Sequence, residues 1–272
     1  MCPSLPRRAM ETVPSFHALP YTDQCGRHLM AAEHALIGLS PWNGYFTARR
    51  VESLVEWAAG TFRAVDVIIP SYEAAYTLIA AGVEPSVAVG RARRAVKKLR
   101  RPAQRALLRA GCGEGRIHTG TSLAAVPRYL QLRRTAERTY HRDPGIRAAC
   151  LDVARAAVAG VQGRIMAQPQ SVERPELSEE RPRMSVARPQ LSEERLDIAV
   201  RYAWSELPFM LDSPGIFGTA SSVLVYHRRI PLIEPLLRDD AALRPAPGQG
   251  FVVASPAGLP AEDVQDQEVT AR

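Results

Sequence analysis

Ser40 lies in the segment Gly38–Phe46, GLSPWNGYF, where the apolar run HALIGLS ends. A serine at the carboxyl end of a buried strand stands where α/β sheets bind their ligands, so its hydroxyl is a candidate nucleophile. A Ser-Pro-x-Asn segment also suits an ordinary turn, and it is not the GxSxG elbow of the hydrolases. Tyr202 and Glu206 are four residues apart in YAWSELP. On a helix they project from one face and offer a phenol and a carboxylate to one small cationic group, although such a pair taken alone is more often a half-buried Tyr beside a solvated Glu. Tyr226 and His227 are adjacent in VLVYHRRIP. On a strand they leave by opposite faces, so only one of them enters a given pocket directly.

A different chemistry is concentrated between Arg91 and Arg109. RARRAVKKLRRPAQRALLR holds nine basic residues and no acid, within a chain of 35 Lys+Arg against 28 Asp+Glu. At about 100° per residue, Arg91, Arg94, Lys98, Arg101, Arg105 and Arg109 form one stripe, with Lys97 beside it, and Ala92, Val96, Leu99, Ala103, Ala106 and Ala110 form an apolar stripe opposite. The spacing predicts a docked helix pair with Pro102 at a kink or in the first turn of the second helix. A solvated basic face is the plain alternative. Like charges at i, i+3 and i+4 repel unless a polyanion neutralises them, which favours nucleic acid phosphates or another anionic surface as partner. No recognition-helix, zinc-finger or RNP signature accompanies the stripe, so sequence-specific DNA reading is not expected.

The elements that must position these groups follow from periodicity. His34–Ser40 reads as a buried strand, Ala48–Phe62 as an amphipathic helix, Val65–Ile69 as a strand and Tyr72–Ala81 as a helix. That alternation predicts a parallel sheet with crossover helices. Residues 127–166 read as long helices. A polar insert at about 167–191 follows, with RPELSEER at Arg174–Arg181 and RPQLSEER at Arg188–Arg195. Two copies are too few for a solenoid, and the composition suits a surface excursion. Ser192 is expected to cap a helix that runs to Leu207 and stops at Pro208. Ser221–Tyr226 reads as a strand and Pro231–Leu237 as a short helix. The expected organisation is an extended lead-in over 1–30, a single α/β domain over 31–240 and a loose tail over 241–272.

The order GLSPWNGYF, basic helix, YAWSELP, VLVYHRRIP resembles the cyclodipeptide synthases, enzymes that make cyclic dipeptides from two aminoacyl-tRNAs. The resemblance runs from about His34 to Leu237, and Asn43 with Tyr226 and His227 matches the branch named for Asn, Tyr and His at those positions. It implies a Rossmann-like parallel sheet with flanking helices, similar to the catalytic domain of class I tyrosyl- and tryptophanyl-tRNA synthetases but without their ATP signatures. HALIG lacks the second histidine of HIGH, and PRMSVAR is a poor KMSKS. The resemblance further implies that Ser40 is the nucleophile, that Gly38 shapes the pocket beneath it, and that Asn43 and His227 support the catalytic loop. Tyr202 and Glu206 would hold the amino group of the first aminoacyl unit, and Tyr226 would assist proton transfer during cyclisation. Leu36, Phe209 and Leu224 would line the first side-chain pocket, which suggests an apolar amino acid. Arg91, Arg94, Lys97, Lys98, Arg101 and Arg105 would meet tRNA. Trp42 and Gly44 depart from the family pattern, and the Trp would bear on the mouth of the substrate pocket.

Composition sets the outer limits. With 272 residues, 46% hydrophobic and 23% charged, the chain can bury a sizeable core. No window approaches the ~18 apolar residues of a bilayer span, and MCPSLPRRAM lacks the apolar core of a secretory signal, so a cytoplasmic protein without membrane contact is expected. Cys2, Cys25, Cys112 and Cys150 form no CxxC pair, and no HExxH or H-x-E spacing occurs. Reduced thiols, no metal, no cofactor and a monomer are the expectations. No Ser-His-Asp relay is evident. The rival readings are a non-catalytic tRNA- or RNA-binding protein and another serine acyltransferase or hydrolase.

Overall fold

A computed structural model describes residues 15–167 and 191–257. The duplicated insert lies almost entirely outside the described residues. The strands β1 (Phe16–Pro20), β2 (His34–Gly38), β3 (Ala64–Ile68), β4 (Ile117–His118), β5 (Ser222–Tyr226) and β6 (Gln249–Pro256) form one sheet in the order β1-β6-β5-β2-β3-β4. All neighbours run parallel except β1 against β6. The sheet is therefore mixed, a five-stranded parallel body with one antiparallel edge.

Both ends of the chain differ from expectation. The lead-in contains β1 and the helix α1 (Asp23–Ala31), capped by Thr22, whose side chain accepts from the Cys25 amide. The tail contains β6, which is seated between β5 and β1 with Phe251, Val252 and Ala254 fully buried. A parallel strand covered on both faces reads as an unbroken apolar run, and FVVA is that run. The Pro-, Gly- and acid-rich residues around it mask the signal.

Side chains alternate between two cores. Leu36, Ile68, Leu224 and Phe251 face one side, where α6 (Pro127–Arg142), α7 (Pro144–Ala167) and α8 (Glu193–Phe217) pack. Ala35, Ile37, Val65, Val67, Val223 and Val225 face the other, against α2 (Ala48–Thr61) and α4 (Pro85–Arg109). In chain order α3 (Ala74–Ala80) follows β3 and precedes α4; β4 leads into the one-turn α5 (Gly120–Leu123), and α9 (Ile233–Leu236) precedes β6.

Two prolines do not act as the sequence suggests. Helix α4 is one continuous 25-residue helix with Pro102 buried inside it, not a pair. An interior proline costs about 3 kcal/mol, a penalty offset here by burying Leu99, Ala103, Ala106 and Leu107. Helix α8 starts at the Ser192 cap as expected, but it passes Pro208 and breaks only at Asp212 (φ −161°, ψ 63°). There the Asp212 carboxylate accepts from the Gly215 amide at 2.9 Å and from Arg128 Nε of α6 at 2.7 Å, so it caps the last turns. Passing Pro208 lets the helix bury Leu207, Phe209, Met210 and Leu211.

The chain travels from β2 outward to β3 and β4, then returns to place β5 on the other side of β2. The carboxyl ends of β2 and β5 therefore flank the topological switch point, the crevice in which open α/β sheets bind ligands.

Candidate active site

Ser40 lies two residues beyond β2, on the rim of that crevice. The Leu39 amide still bonds to the Ile68 carbonyl at 3.0 Å, after which the chain turns, with the Asn43 amide donating to the Ser40 carbonyl at 3.3 Å. Asn43 fixes the turn. Its Oδ1 accepts from the Tyr45 amide at 2.9 Å, which leaves Nδ2 to donate to His227 Nε2 at 2.8 Å. With Nε2 accepting, a neutral His227 carries its proton on Nδ1. The imidazole stacks on Tyr45 at 4.5 Å between centroids and meets Phe46 edge-on at 5.2 Å. Burial, then the positive charges of Arg228 and Arg50, push its pKa from 6.5 down to about 3. The loop that carries Ser40 is thereby tied to the end of β5 by a neutral histidine.

Tyr226, one residue earlier, points to the opposite face, toward α8. Its hydroxyl pKa is pushed well above the ordinary value by burial, with Glu206 the next largest influence. Tyr202 and Glu206 descend from α8 one turn apart. The buried Tyr202 hydroxyl lies within reach of both Ser40 and Glu206, yet completes no hydrogen bond of good geometry. Desolvation holds Tyr202 in its neutral form and also raises the Glu206 pKa, against the hydrogen-bonding influence of Tyr202. Ser40, Tyr202, Glu206 and Tyr226 thus converge, while Asn43 and His227 stand behind the serine loop.

The apolar candidates converge as well. Leu36 and Leu224 are paired across β2 and β5, and Phe209 of α8 joins the same core. A Cβ on Gly38 would meet only Ile68 Cγ2, at 3.9 Å, so packing alone does not demand glycine there. Trp42 is anchored away from the loop by its indole N–H, which donates to the Ala74 carbonyl at 2.9 Å.

The basic stripe divides into two parts. Arg91, Arg94, Lys97, Lys98 and Arg101 are exposed and make no ion pair among the described residues. Arg105 instead meets Glu52 of α2 at 2.6 Å, and Arg109 meets Glu52 at 2.8 Å and Glu56 at 2.6 Å. Acids absent from the segment itself arrive from a neighbouring helix.

Three features escape sequence reading. A Ser-His-Asp chain does exist: Ser222 Oγ contacts His34 Nδ1 at 2.7 Å, and His34 Nε2 contacts Asp66 at 3.0 Å. Ser222 is 0% and His34 1% exposed, at the amino ends of their strands and opposite Ser40. No substrate reaches that serine. Asp66 also holds Arg116 at 2.8 Å and His118 at 2.7 Å, so the cluster pins β2, β3, β4 and β5 together. Tyr129 of α6 is fully buried against Phe209, with ring centroids 5.3 Å apart, and donates to the Ser205 carbonyl at 3.2 Å. Glu73, after β3, is a buried carboxylate whose charge is felt by Tyr202 and Tyr129. Their partners are 32 to 188 residues away or reached through a loop, and no local spacing marks them.

A family model described as cyclodipeptide synthase matches residues 16–256. The chain is 31% identical over 238 residues to the cyclo(L-leucyl-L-leucyl) synthase of Bacillus subtilis, covering 88% of each. It is 32% identical over 229 residues to the cyclo(L-leucyl-L-phenylalanyl) synthase of Streptomyces noursei, covering 84% of this chain and 86% of the relative. A Mycobacterium tuberculosis structure, described as demonstrating that cyclodipeptide synthetases are related to type I tRNA-synthetases, shares the fold with a TM-score of 0.71. That likeness has 22% identity and covers 92% of this chain and 100% of the other. Among the described residues no helix is long and apolar enough to cross a membrane. With most of its length matched by the family model, and with two curated relatives above 30% identity, the chain belongs to the cyclodipeptide synthase family.

Proposed function

We propose that this enzyme joins the aminoacyl groups of two aminoacyl-tRNAs into a cyclic dipeptide through acyl intermediates on Ser40, in the branch with Asn43, Tyr226 and His227 at the motif positions. The reading rests above all on the convergence of Ser40, Tyr202 and Glu206 at the switch-point crevice. An aminoacyl-tRNA is an activated ester, so acylating a serine needs no ATP. Ser40 Oγ bonds to the first acyl carbon, the ester bond to the tRNA ribose breaks, and the ribose hydroxyl leaves with the serine proton. The free amine of the second aminoacyl-tRNA then attacks that ester and returns the proton to Ser40, while its own acyl group remains on the second tRNA. Transfer of the dipeptidyl group to Ser40 releases this tRNA, and attack by the terminal amine closes the ring and frees the serine.

Glu206 and Tyr202 hold the ammonium of the first unit by charge-assisted hydrogen bonds. Bringing an ammonium beside Glu206 offsets the desolvation that raises its pKa. Tyr226, kept protonated, donates and recovers a proton during closure, help worth roughly 10² to 10⁴ in rate. Leu36, Phe209 and Leu224 supply apolar walls for the first side chain, with Gly38 beneath. Arg91, Arg94, Lys97, Lys98 and Arg101 bind tRNA phosphates, and Arg105 contributes less because Glu52 already occupies it.

Expression in bacteria supplies charged tRNAs, and mass spectrometry of the medium reads diketopiperazines. Wild type is expected to secrete one, and Ser40→Ala to abolish it with tRNA binding intact. Rapid mixing with aminoacyl-tRNA should load one aminoacyl mass on wild type. Product from Ser40→Ala, or no adduct on wild type, would overturn the acyl-serine route.

A further inference from the structure

Helix α6 carries five arginines against one acid, Glu137. It starts beside the site: in its first turn Tyr129 donates to the carbonyl of Ser205, the residue before Glu206, at 3.2 Å, and its ring lies on Phe209. Near its other end Tyr140 donates to Asp197 at 3.1 Å, so α6 runs antiparallel to α8, alongside the stretch that bears Tyr202 and Glu206. Arg128 is spent on Asp212, at 2.6 Å. The buried face of α6 is Tyr129, Leu132, Ala136 and Tyr140, which turns Arg134, Arg138 and Arg142 to solvent. At about 100° per residue these three share one stripe, with Glu137 at its flank beside Arg133. None of the three makes an ion pair among the described residues. Arg134 and Arg138 also line a shallow surface cavity of about 330 Å³ with Pro127 and Leu130.

Two sets of exposed cations therefore flank the crevice. Trp42, two residues past Ser40, packs in one cluster with Ala88 and Ala92 of α4, which sets Arg91 and Arg94 on the side of the serine loop. The rest of α4 covers one face of the sheet with α2, and α6 covers the other with α8. The reaction needs two poses of an acceptor end. In the first, the ester carbon meets Ser40 Oγ and the ribose oxygen is one bond from that carbon. In the second, the first unit remains on Ser40 with its ammonium at Glu206, and the incoming amine takes the place beside the acyl carbon. The second ribose oxygen then stands three bonds beyond that amine. Phosphate contacts that align one pose would misplace the other by about one residue length, ~3.5 Å, where 1 Å already matters.

We propose that the α6 stripe of Arg134, Arg138 and Arg142 docks the acceptor arm of the second aminoacyl-tRNA, after the α4 stripe has seated and released the first. This inference rests on the tRNA-dependent reading above and gives its second substrate a surface of its own. Arginines four residues apart follow one another at about 6 Å along the helix, a row of cations set against a row of phosphates. Their planar guanidinium groups suit bidentate pairing with phosphate oxygens. Pro127 and Leu130 add an apolar floor on which an unpaired base of the single-stranded end can rest.

The test mixes aminoacyl-tRNA with wild type, with Arg134→Ala/Arg138→Ala/Arg142→Ala, with the same three positions changed to Lys, and with Arg94→Ala/Lys98→Ala/Arg101→Ala. Intact mass follows loading of Ser40, and mass spectrometry of small molecules follows diketopiperazine release. In the α6 alanine variant loading should keep the wild-type rate, the aminoacyl adduct should persist, and release should fall about tenfold or more. The α4 variant should instead load slowly and accumulate no adduct. At subsaturating tRNA the log–log salt slope of release in the α6 alanine variant should be shallower by roughly 2 to 3, at about 0.7 to 0.9 per contact. The lysine variant should recover release, because a phosphate needs the charge. Should the triple alanine variant not fold, Arg138→Ala alone gives the same reading with a smaller effect. Loading and release slowed equally by the α6 change would put both stripes on one tRNA and overturn the assignment. Unchanged release, which would make α6 a solvated face, or no recovery with lysine, overturns it too. Those results leave the acyl-Ser40 chemistry standing, because wild type still loads; a wild type that forms neither adduct nor product refutes that chemistry itself.

Discussion

Replacing His227 by Gln should flatten the acid side of the stability profile. In the folded protein the imidazole accepts a proton only near pH 3, against an ordinary value of 6.5 when it is free of the fold. Below about pH 6.5 the unfolded chain therefore binds a proton that the native state refuses, and native stability falls as pH falls. Between about pH 7.5 and about pH 5 this one group removes up to about 2 kcal/mol. The amide introduced by His227→Gln would keep an acceptor for Asn43 Nδ2 but would not titrate. Urea unfolding at the two pH values should show wild type losing about 2 kcal/mol more than His227→Gln. Equal losses in the two proteins would refute the neutral, acceptor-only histidine. Only on further acidification to near pH 3 should the wild-type Ser40 loop itself loosen, since a protonated imidazole cannot accept from Asn43.

Arg94→Ala, Lys98→Ala and Arg101→Ala combined should weaken tRNA binding and reduce its log–log salt slope by roughly 2 to 3, at about 0.7 to 0.9 per phosphate contact, in filter binding at several salt concentrations. Arg105→Ala should change the slope by less than Lys98→Ala; the reverse order would mean that Glu52 does not occupy Arg105. Glu206→Gln should cut product formation by roughly 10² or more, because the ammonium loses its counter-charge in a desolvated site, and near-wild-type turnover would remove Glu206 from ammonium binding. Asp66→Asn should cost about 3 to 5 kcal/mol, because Arg116 loses its counter-charge and one of the two histidines meets an amide N–H₂ in place of an acceptor. Calorimetry should show a melting temperature lower by about 10 °C, and an unshifted transition would contradict the pinning role of the cluster.

Much of the site is legible in the sequence because its signals are local. Periodicity places β2 before Ser40, a four-residue interval puts Tyr202 and Glu206 on one helix face, and adjacency sends Tyr226 and His227 to opposite faces. Each depends only on the geometry of a single element, and the structure agrees in every case. The same holds for the Ser192 cap, which depends on residues three apart.

What local spacing misses depends on packing between distant segments. Pro102 and Pro208 look like helix breakers until the apolar area buried beyond them is weighed against the lost hydrogen bond. FVVA looks like part of a loose tail until β1 and β5 cover its edges. Arg105 looks like a free cation until α2 brings Glu52 to it, and Ser222, His34 and Asp66 look unrelated until three strands align. Glu73 can be buried only because Gly120, 47 positions later in the chain, leaves the space for its carboxyl. The sequence by itself determines which groups an element presents and on which face. Which charges are neutralised, which polar atoms are orphaned and which strands share a sheet are decided by tertiary structure, because burial and pairing belong to contacts between elements and have no period along the chain.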